Sequence, residues 1–94
     1  MSTTFQAPTK DPAAILFHEM DWSSWLDEGE TIDAETVTSS DAALIIDQVL
    51  EASGVVTWRV RGGAAGKRYT VTVRVETSDG RTDERSVTYR VAQR

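Results

Sequence analysis

The sequence contains no cysteine, a single histidine (His18), only two prolines and no long apolar run. Without thiols there are no disulfides, no thiolate zinc or iron–sulfur centres and no cysteine nucleophile, and one histidine is too few for a histidine-rich metal site. Bases are scarce beside acids: 10 Lys and Arg face 15 Asp and Glu, a net charge of −5. That balance argues against nucleic acid as a partner, because non-specific affinity for phosphate backbones comes from counterions released by cationic side chains. No stretch approaches the roughly 18 apolar residues of a membrane-spanning helix. The opening Met-Ser-Thr-Thr-Phe-Gln has neither the basic nor the apolar region of a secretory signal, so a soluble chain made in a cytoplasm, with no membrane partner, is expected. At 94 residues the chain has room for one domain with one compact core.

The modest net charge conceals a division. Residues 1–53 hold 11 acids and one base, Lys10, a net of −10, whereas residues 54–94 hold nine bases, eight of them Arg, against Glu76, Asp79, Asp83 and Glu84, a net of +5. Pairing of the two halves across neighbouring strands is the simpler expectation, each exposed pair contributing at most about 1 kcal/mol. The alternative is a molecule with one acidic and one basic face, suited to head-to-tail stacking in a ring.

Three segments alternate with period 2. Val56, Trp58 and Val60 are separated by Thr57 and Arg59; Tyr69, Val71, Val73 and Val75 by Thr70, Thr72 and Arg74; Val87, Tyr89 and Val91 by Thr88 and Arg90. Each reads as a half-buried strand. The loop between the last two is set by register. A two-residue Asp79-Gly80 loop opposes Val71 to Thr88, whereas a three-residue Ser78-Asp79-Gly80 loop opposes Val71 to Val87 and Tyr69 to Tyr89, which puts both apolar sets on one face. The longer loop also places Gly80 where a type I turn needs a left-handed residue.

The first half is less regular. Residues 1–12 hold both prolines and read as an extended arm outside the core, with a flexible arm over 1–10 and a domain over 11–94. Trp22 and Trp25 would face opposite sides of an ideal strand, so a bulge or tight turn is needed to bring them together. Asp27-Glu28-Gly29-Glu30 reads as a turn and residues 31–38 as a strand. Residues 43–50 suit either a two-turn helix or strand structure; the β-branched flanks and turn signals every 8 to 12 residues favour strands and an all-β sandwich.

Candidate sites are few. Gly62-Gly63-Ala64-Ala65-Gly66-Lys67-Arg68 superficially matches a phosphate-binding loop, but it has three residues rather than four between Gly62 and Gly66, no Ser or Thr after Lys67, and no helix to open. A basic turn able to touch an acidic partner surface is the better reading. Asp21, Asp27, Glu28, Glu30 and Asp33 lack EF-hand spacing and are expected to be solvated, so no metal site is assigned. His18 has no Gly-x-Ser-x-Gly elbow to serve and reads as an edge-strand or surface residue. Trp22, Trp25 and Trp58 are read as core rather than as a stacking platform for sugars, Trp58 most firmly because Val56 and Val60 share its face. No catalytic or cofactor-binding residue is assigned, and the chain is not expected to be an enzyme.

Lys10-Asp11-Pro12, Asp21-Trp22-Ser23-Ser24-Trp25-Leu26, Gly29-Glu30-Thr31-Ile32, the segment from Gly62 through Thr72, and Gly80-Arg81-Thr82-Asp83-Glu84-Arg85-Ser86 occur in an order that resembles a family of small tailed-phage and prophage proteins, described as fiber-tail adaptor or minor virion proteins. The similarity spans residues 10–92. The chain departs from it at residues 44–51, which are more apolar than the expected Ser/Thr-rich stretch. The resemblance implies an immunoglobulin-like sandwich of about seven strands with a structural role in a virion; an adaptor joining tail or neck proteins to fibers is the first expectation and capsid decoration the second, and a host-surface or carbohydrate-binding module using Trp22 or Trp25 as a platform is the alternative from a different class. It implies a protein made in the bacterial cytoplasm and assembled into a particle, where it is a candidate ring-forming homo-oligomer. Asp21, Trp22, Trp25, Thr82, Asp83 and Glu84 would then shape the fold and its turns. Phe5, Arg61, Lys67 and Arg68 are the expected partner contacts.

Overall fold

The computed structural model describes residues 2–93 and is all-β. Seven strands follow one another: β1 (Ser2–Gln6), β2 (Leu16–Asp21), β3 (Ile32–Ser39), β4 (Leu44–Ala52), β5 (Val55–Gly62), β6 (Arg68–Thr77) and β7 (Thr82–Arg90). They form a four-stranded sheet, β1-β7-β6-β3, and a three-stranded sheet, β2-β5-β4. The placement of β2-β5-β4 against β3-β6-β7 is consistent with an immunoglobulin-like sandwich. The first strand lies on the second of these sheets, parallel to β7, with Phe5 opposite Val87.

The alternating residues of β5, β6 and β7 build the core, as their period-2 pattern requires. Val56, Trp58 and Val60 from one sheet meet Val71, Val73, Val75, Tyr89 and Val91 from the other, all fully buried. The β6–β7 hairpin has the register expected from its apolar faces: Val71 opposes Val87 and Tyr69 opposes Tyr89. Its loop closes with Thr77 N–H donating to Arg81 O (2.8 Å) and Gly80 N–H donating to Thr77 O (3.0 Å), and Gly80 takes φ +80°. Glycine reaches that left-handed region without the steric cost that a Cβ imposes.

Of residues 43–50, ambiguous by spacing, 44–50 are strand and Ala43 ends the preceding turn. Between Asp47, opposite Arg59, and Leu50, opposite Thr57, the ladder gains a residue, and Gln48 takes φ +50°. This bulge shifts the phase of the strand. Leu44 and Ile46 face inward before it and Val49 after it, leaving Ile45 and Leu50 exposed. An apolar set spaced 44, 46, 49 matches neither a clean strand nor a helix.

The expectation of an arm lying outside the core is corrected at Ala7 and Lys10. Ala7 belongs to the core cluster, and Lys10 is 1% exposed. The Lys10 backbone bridges to β7's continuation, its N–H donating to Arg90 O and its carbonyl accepting from Ala92 N–H. Its ammonium donates to Asp11 O and Gly62 O, both at 2.8 Å. Burial pushes the Lys10 pKa down, with Asp11 acting in the opposite direction. Proline kept this segment extended; backbone pairing with β7 and the two carbonyls waiting for the ammonium drew it in.

Candidate docking surface

Two Trp-Arg-carboxylate groups secure the irregular segment between β2 and β3. Asp21 Oδ1 accepts from Ser23 N–H (2.7 Å), and a tight turn follows in which the Trp25 and Leu26 N–H groups both donate to Trp22 O. This turn, rather than a strand bulge, resolves the Trp22–Trp25 spacing. Trp22 is fully buried; its Nε1–H donates to Asp83 Oδ2 (2.8 Å), and Arg85 lies over its ring at 4.6 Å while also pairing with Asp83. Trp25 packs under Arg81, whose guanidinium lies 4.0 Å from the ring centroid and donates to Trp25 O. Neither ring is the open platform that sugar stacking needs.

Arg81 also grips Glu30, a carboxylate with no exposed side-chain surface, through both Nε and Nη2, and Thr77 Oγ1 donates to the same group. Hydrogen bonds from Arg81 and then Thr77 hold Glu30 down at about 2. Asp27, Glu30 and Asp79 do bring their oxygens together, but around a guanidinium: Arg81 is drawn to all three, Glu30 foremost. The cation of this cluster belongs to the chain itself.

The glycine-rich loop is tied down in the same way. Gly63 N–H donates to Ala43 O, Ala64 N–H to Tyr69 Oη, Gly66 N–H to Val91 O and Lys67 N–H to Ala64 O. A phosphate cradle needs such amides aimed at solvent, and these are already spent. Gly63 is required by contact as well as conformation, since a Cβ there would lie 2.8 Å from Val91 Cγ2 at φ +91°.

What remains outward-facing is unevenly distributed. Of the five exposed large apolar residues among the described residues, four (Ile15, Phe17, Ile45 and Leu50) lie on or beside the outer face of β2-β5-β4. Phe17 and Leu50 are 63% and 67% exposed. Phe17 and Asp47 are both paired with Arg59 in register, as Ile45 is with Arg61 and Leu50 with Thr57. Between these apolar groups, Asp47 accepts from Arg59 Nε (2.6 Å) and Nη2 (2.8 Å) and from Arg61 Nε (3.0 Å). Arg59 first, then Arg61, hold the Asp47 carboxyl well below the usual carboxylate range. Two guanidiniums on one carboxylate give this group a net positive charge, with the exposed Glu19 and Asp21 of β2 beside it on the same side of the sheet. The other sheet's outer face is polar, with Thr70 opposite Thr88, Thr72 opposite Ser86, and Arg74 opposite Glu84.

Along the seam between β1 and β2 runs a groove of about 630 Å³, lined by Phe5, Ala7, Phe17, His18, Met20 and Val87 among others. Over the opposite seam β3 and β4 pack together. His18 sits here on edge strand β2, stacked 5.0 Å from Tyr89 and edge-on to Trp58. Trp58 Nε1–H donates to Tyr89 Oη (3.3 Å), and Oη also makes a close contact with His18 Nδ1. Burial lowers the His18 pKa, favouring the neutral imidazole. Burial likewise pushes Tyr89 up to about 12.

The four expected contact residues therefore separate. Phe5 lines the groove and Arg61 stands on the apolar face, engaged by Asp47, whereas Lys67 and Arg68 are exposed by the glycine-rich loop. Ile15, Phe17, Ile45 and Leu50 escaped the sequence reading because each neighbours inward-facing apolar residues, and only register shows which side of the sheet it takes.

The charge division is bridged in part by pairing, through Asp27, Glu30 and Asp47. Four of the six ion pairs among the described residues, Asp47 with Arg59 and Arg61 and Arg81 with Asp27 and Glu30, join the acidic half of the chain to the basic half. Acid should undo this. Glu30 ordinarily titrates near 4.5 and is held at about 2 in the fold, so its contribution is fully present above the unfolded pKa and is lost as pH falls through the folded one. Asp47 has the same sign. His18 adds an earlier step, because its lowered pKa favours the unfolded state once the pH falls below about 6.5. Urea midpoints should decline modestly below that pH and steeply between about pH 5 and 2. Glu30→Gln should lower the neutral-pH midpoint and flatten the steep limb; an unchanged limb would show that the Glu30–Arg81 pair does not govern it.

A family model described as podophage GP4 fiber-tail adaptor protein gp77 matches residues 10–90. No curated protein matches the chain.

Proposed function

Because the chain belongs to the podophage fiber-tail adaptor family, we propose that it is a non-enzymatic virion structural protein that joins tail or neck proteins to fibers. The observation that carries the reading beyond the family is the asymmetry of the sandwich. One outer face presents Phe17, Leu50, Ile15 and Ile45 around a cationic Arg59–Asp47–Arg61 centre, and the other presents threonines and paired charges. Apolar groups grouped on one face and surrounding polar anchors are what a protein interface requires. A partner surface with an acidic group set among apolar side chains would complement this face. Phe5, beside Phe17 at the groove, extends it, and Lys67 and Arg68 supply a separate basic contact at one end of the sandwich.

In the particle, copies repeat around the tail axis as a ring-forming homo-oligomer, with each chain's partners being other tail, neck or fiber proteins and neither nucleic acid nor membrane. Labelling the protein and locating and counting it in purified virions tests the assignment. It should appear at the tail in copies that follow tail symmetry. Copy number that follows the shell would instead make it a capsid decoration protein.

A further inference from the structure

The edge of β2 differs from the edges formed by β3 and β4. Strands left open invite pairing with another chain, and folded proteins commonly blunt them with bulges, prolines or lysines. β4 carries the bulge at Gln48, and β3 shifts register between Ile32 and Ala34. β2 has none of these devices. It pairs with β5 in unbroken register from Leu16 to Asp21, contains neither proline nor lysine, and has no strand on its other side among the described residues. In a constant-type immunoglobulin sandwich the first strand takes the place beside the second; here β1 pairs with β7 instead.

The groove of about 630 Å³ runs along this same edge. Its apolar lining comes from both sheets, Phe17 and Met20 from β2 and Phe5 and Val87 from β1 and β7. Exposed Glu19 and Asp21 project from β2, and the one Arg at the groove among the described residues, Arg85, is committed to Asp83 and to Asp21 O. The chemistry of the occupant follows from these three features. Open backbone groups call for an extended chain, an apolar groove calls for apolar side chains at alternate positions, and the acidic strand calls for basic residues flanking them.

We propose that β2 accepts an extended, basic-flanked segment of a partner protein as an added strand, its alternate apolar side chains filling the groove between β1 and β2. This deepens the adaptor reading and rests on it for the origin of the partner, but not for the binding chemistry. Main-chain hydrogen bonds supply the affinity in this mode and the groove supplies the selectivity.

The test uses the full chain and two synthetic peptides of alternating valine and threonine, one with lysine ends and one with glutamate ends. With the lysine peptide at about ten times its Kd, amide exchange at alternate positions of β2 should slow by about tenfold. The glutamate peptide should bind at least about tenfold more weakly at low salt, a gap that narrows as salt screens the charges. Glu19→Lys should reverse the preference while leaving the melting temperature in place. Protection confined to β1, β3 or β4, no protection, or indifference to peptide charge would overturn the proposal. Protection of β2 by self-association without peptide would also overturn it, by identifying a second copy as the occupant. Particle counting stands apart: a tail-located protein without β2 protection refutes only strand addition, and β2 protection in a protein absent from tails refutes only the adaptor assignment.

Discussion

Trp58→Ala should be the most destabilising single substitution in the chain. The ring is fully buried at the centre of the β2-β5-β4 sheet, between Val56 and Val60, and faces the valines of β6. Removing a buried tryptophan costs about 3–5 kcal/mol in transfer and cavity terms together, against a total of about 5–15 kcal/mol for a typical domain. The melting temperature should fall by about 12 °C or more. Loss of the indole also uncovers His18, whose pKa is lowered by burial, so the His18 pKa, followed by NMR, should move toward its ordinary value. Trp25→Ala is the matched comparison. It removes a partly exposed ring whose contact with Arg81 contributes about 0.5–2 kcal/mol, so its shift should be less than half as large. Equal shifts for the two variants would contradict the placement of Trp58 at the meeting of the sheets.

The largest functional effect should come from Phe17→Glu combined with Leu50→Glu. Both side chains are nearly two-thirds exposed, so the isolated protein should keep its melting temperature, surface changes being worth about 0.5 kcal/mol or less. Carboxylates set into a desolvated interface cost about 2 kcal/mol or more apiece when they replace anchoring groups, and incorporation into particles should fall at least about tenfold. The control is Thr36→Glu with Thr38→Glu, an equal charge change at exposed positions of β3, on the other sheet. It should leave incorporation close to that of the unaltered protein. If the control pair blocked assembly and the Phe17 and Leu50 pair did not, the docking face would be the threonine-rich one.

The segments that carry the family resemblance have a physical relation that becomes visible in the fold. Asp21-Trp22-Ser23-Ser24-Trp25, Glu30 and Arg81 through Arg85 are distant in sequence, yet they form two neighbouring constructions in which an arginine covers a tryptophan and pairs with a carboxylate. They hold the β2–β3 segment against the start of β7. The residues suited to meeting another molecule, Phe17, Ile45 and Leu50, lie outside these motifs.

The alternation of Tyr69 to Val75 and of Val87 to Val91 determined, without any structure, that these segments are strands, which faces they bury and that three residues join them. A period of 2 and a buried face admit only one register. The missing cysteines and the scarcity of histidine determined equally well which chemistry is ruled out. Tertiary structure decided what no local pattern encodes. The bulge at Gln48 changed the phase of β4 and thereby turned Leu50 outward, because one inserted residue exchanges the faces of all that follow. Lys10 entered the interior because the distant Gly62 carbonyl and the β7 backbone were placed to receive it. The opposed charges of the two halves, legible as −10 and +5, became ion pairs such as Asp47 with Arg59 and Glu30 with Arg81 only when folding set the strands and turns side by side. Charge counts are additive along a chain, whereas pairing depends on distance.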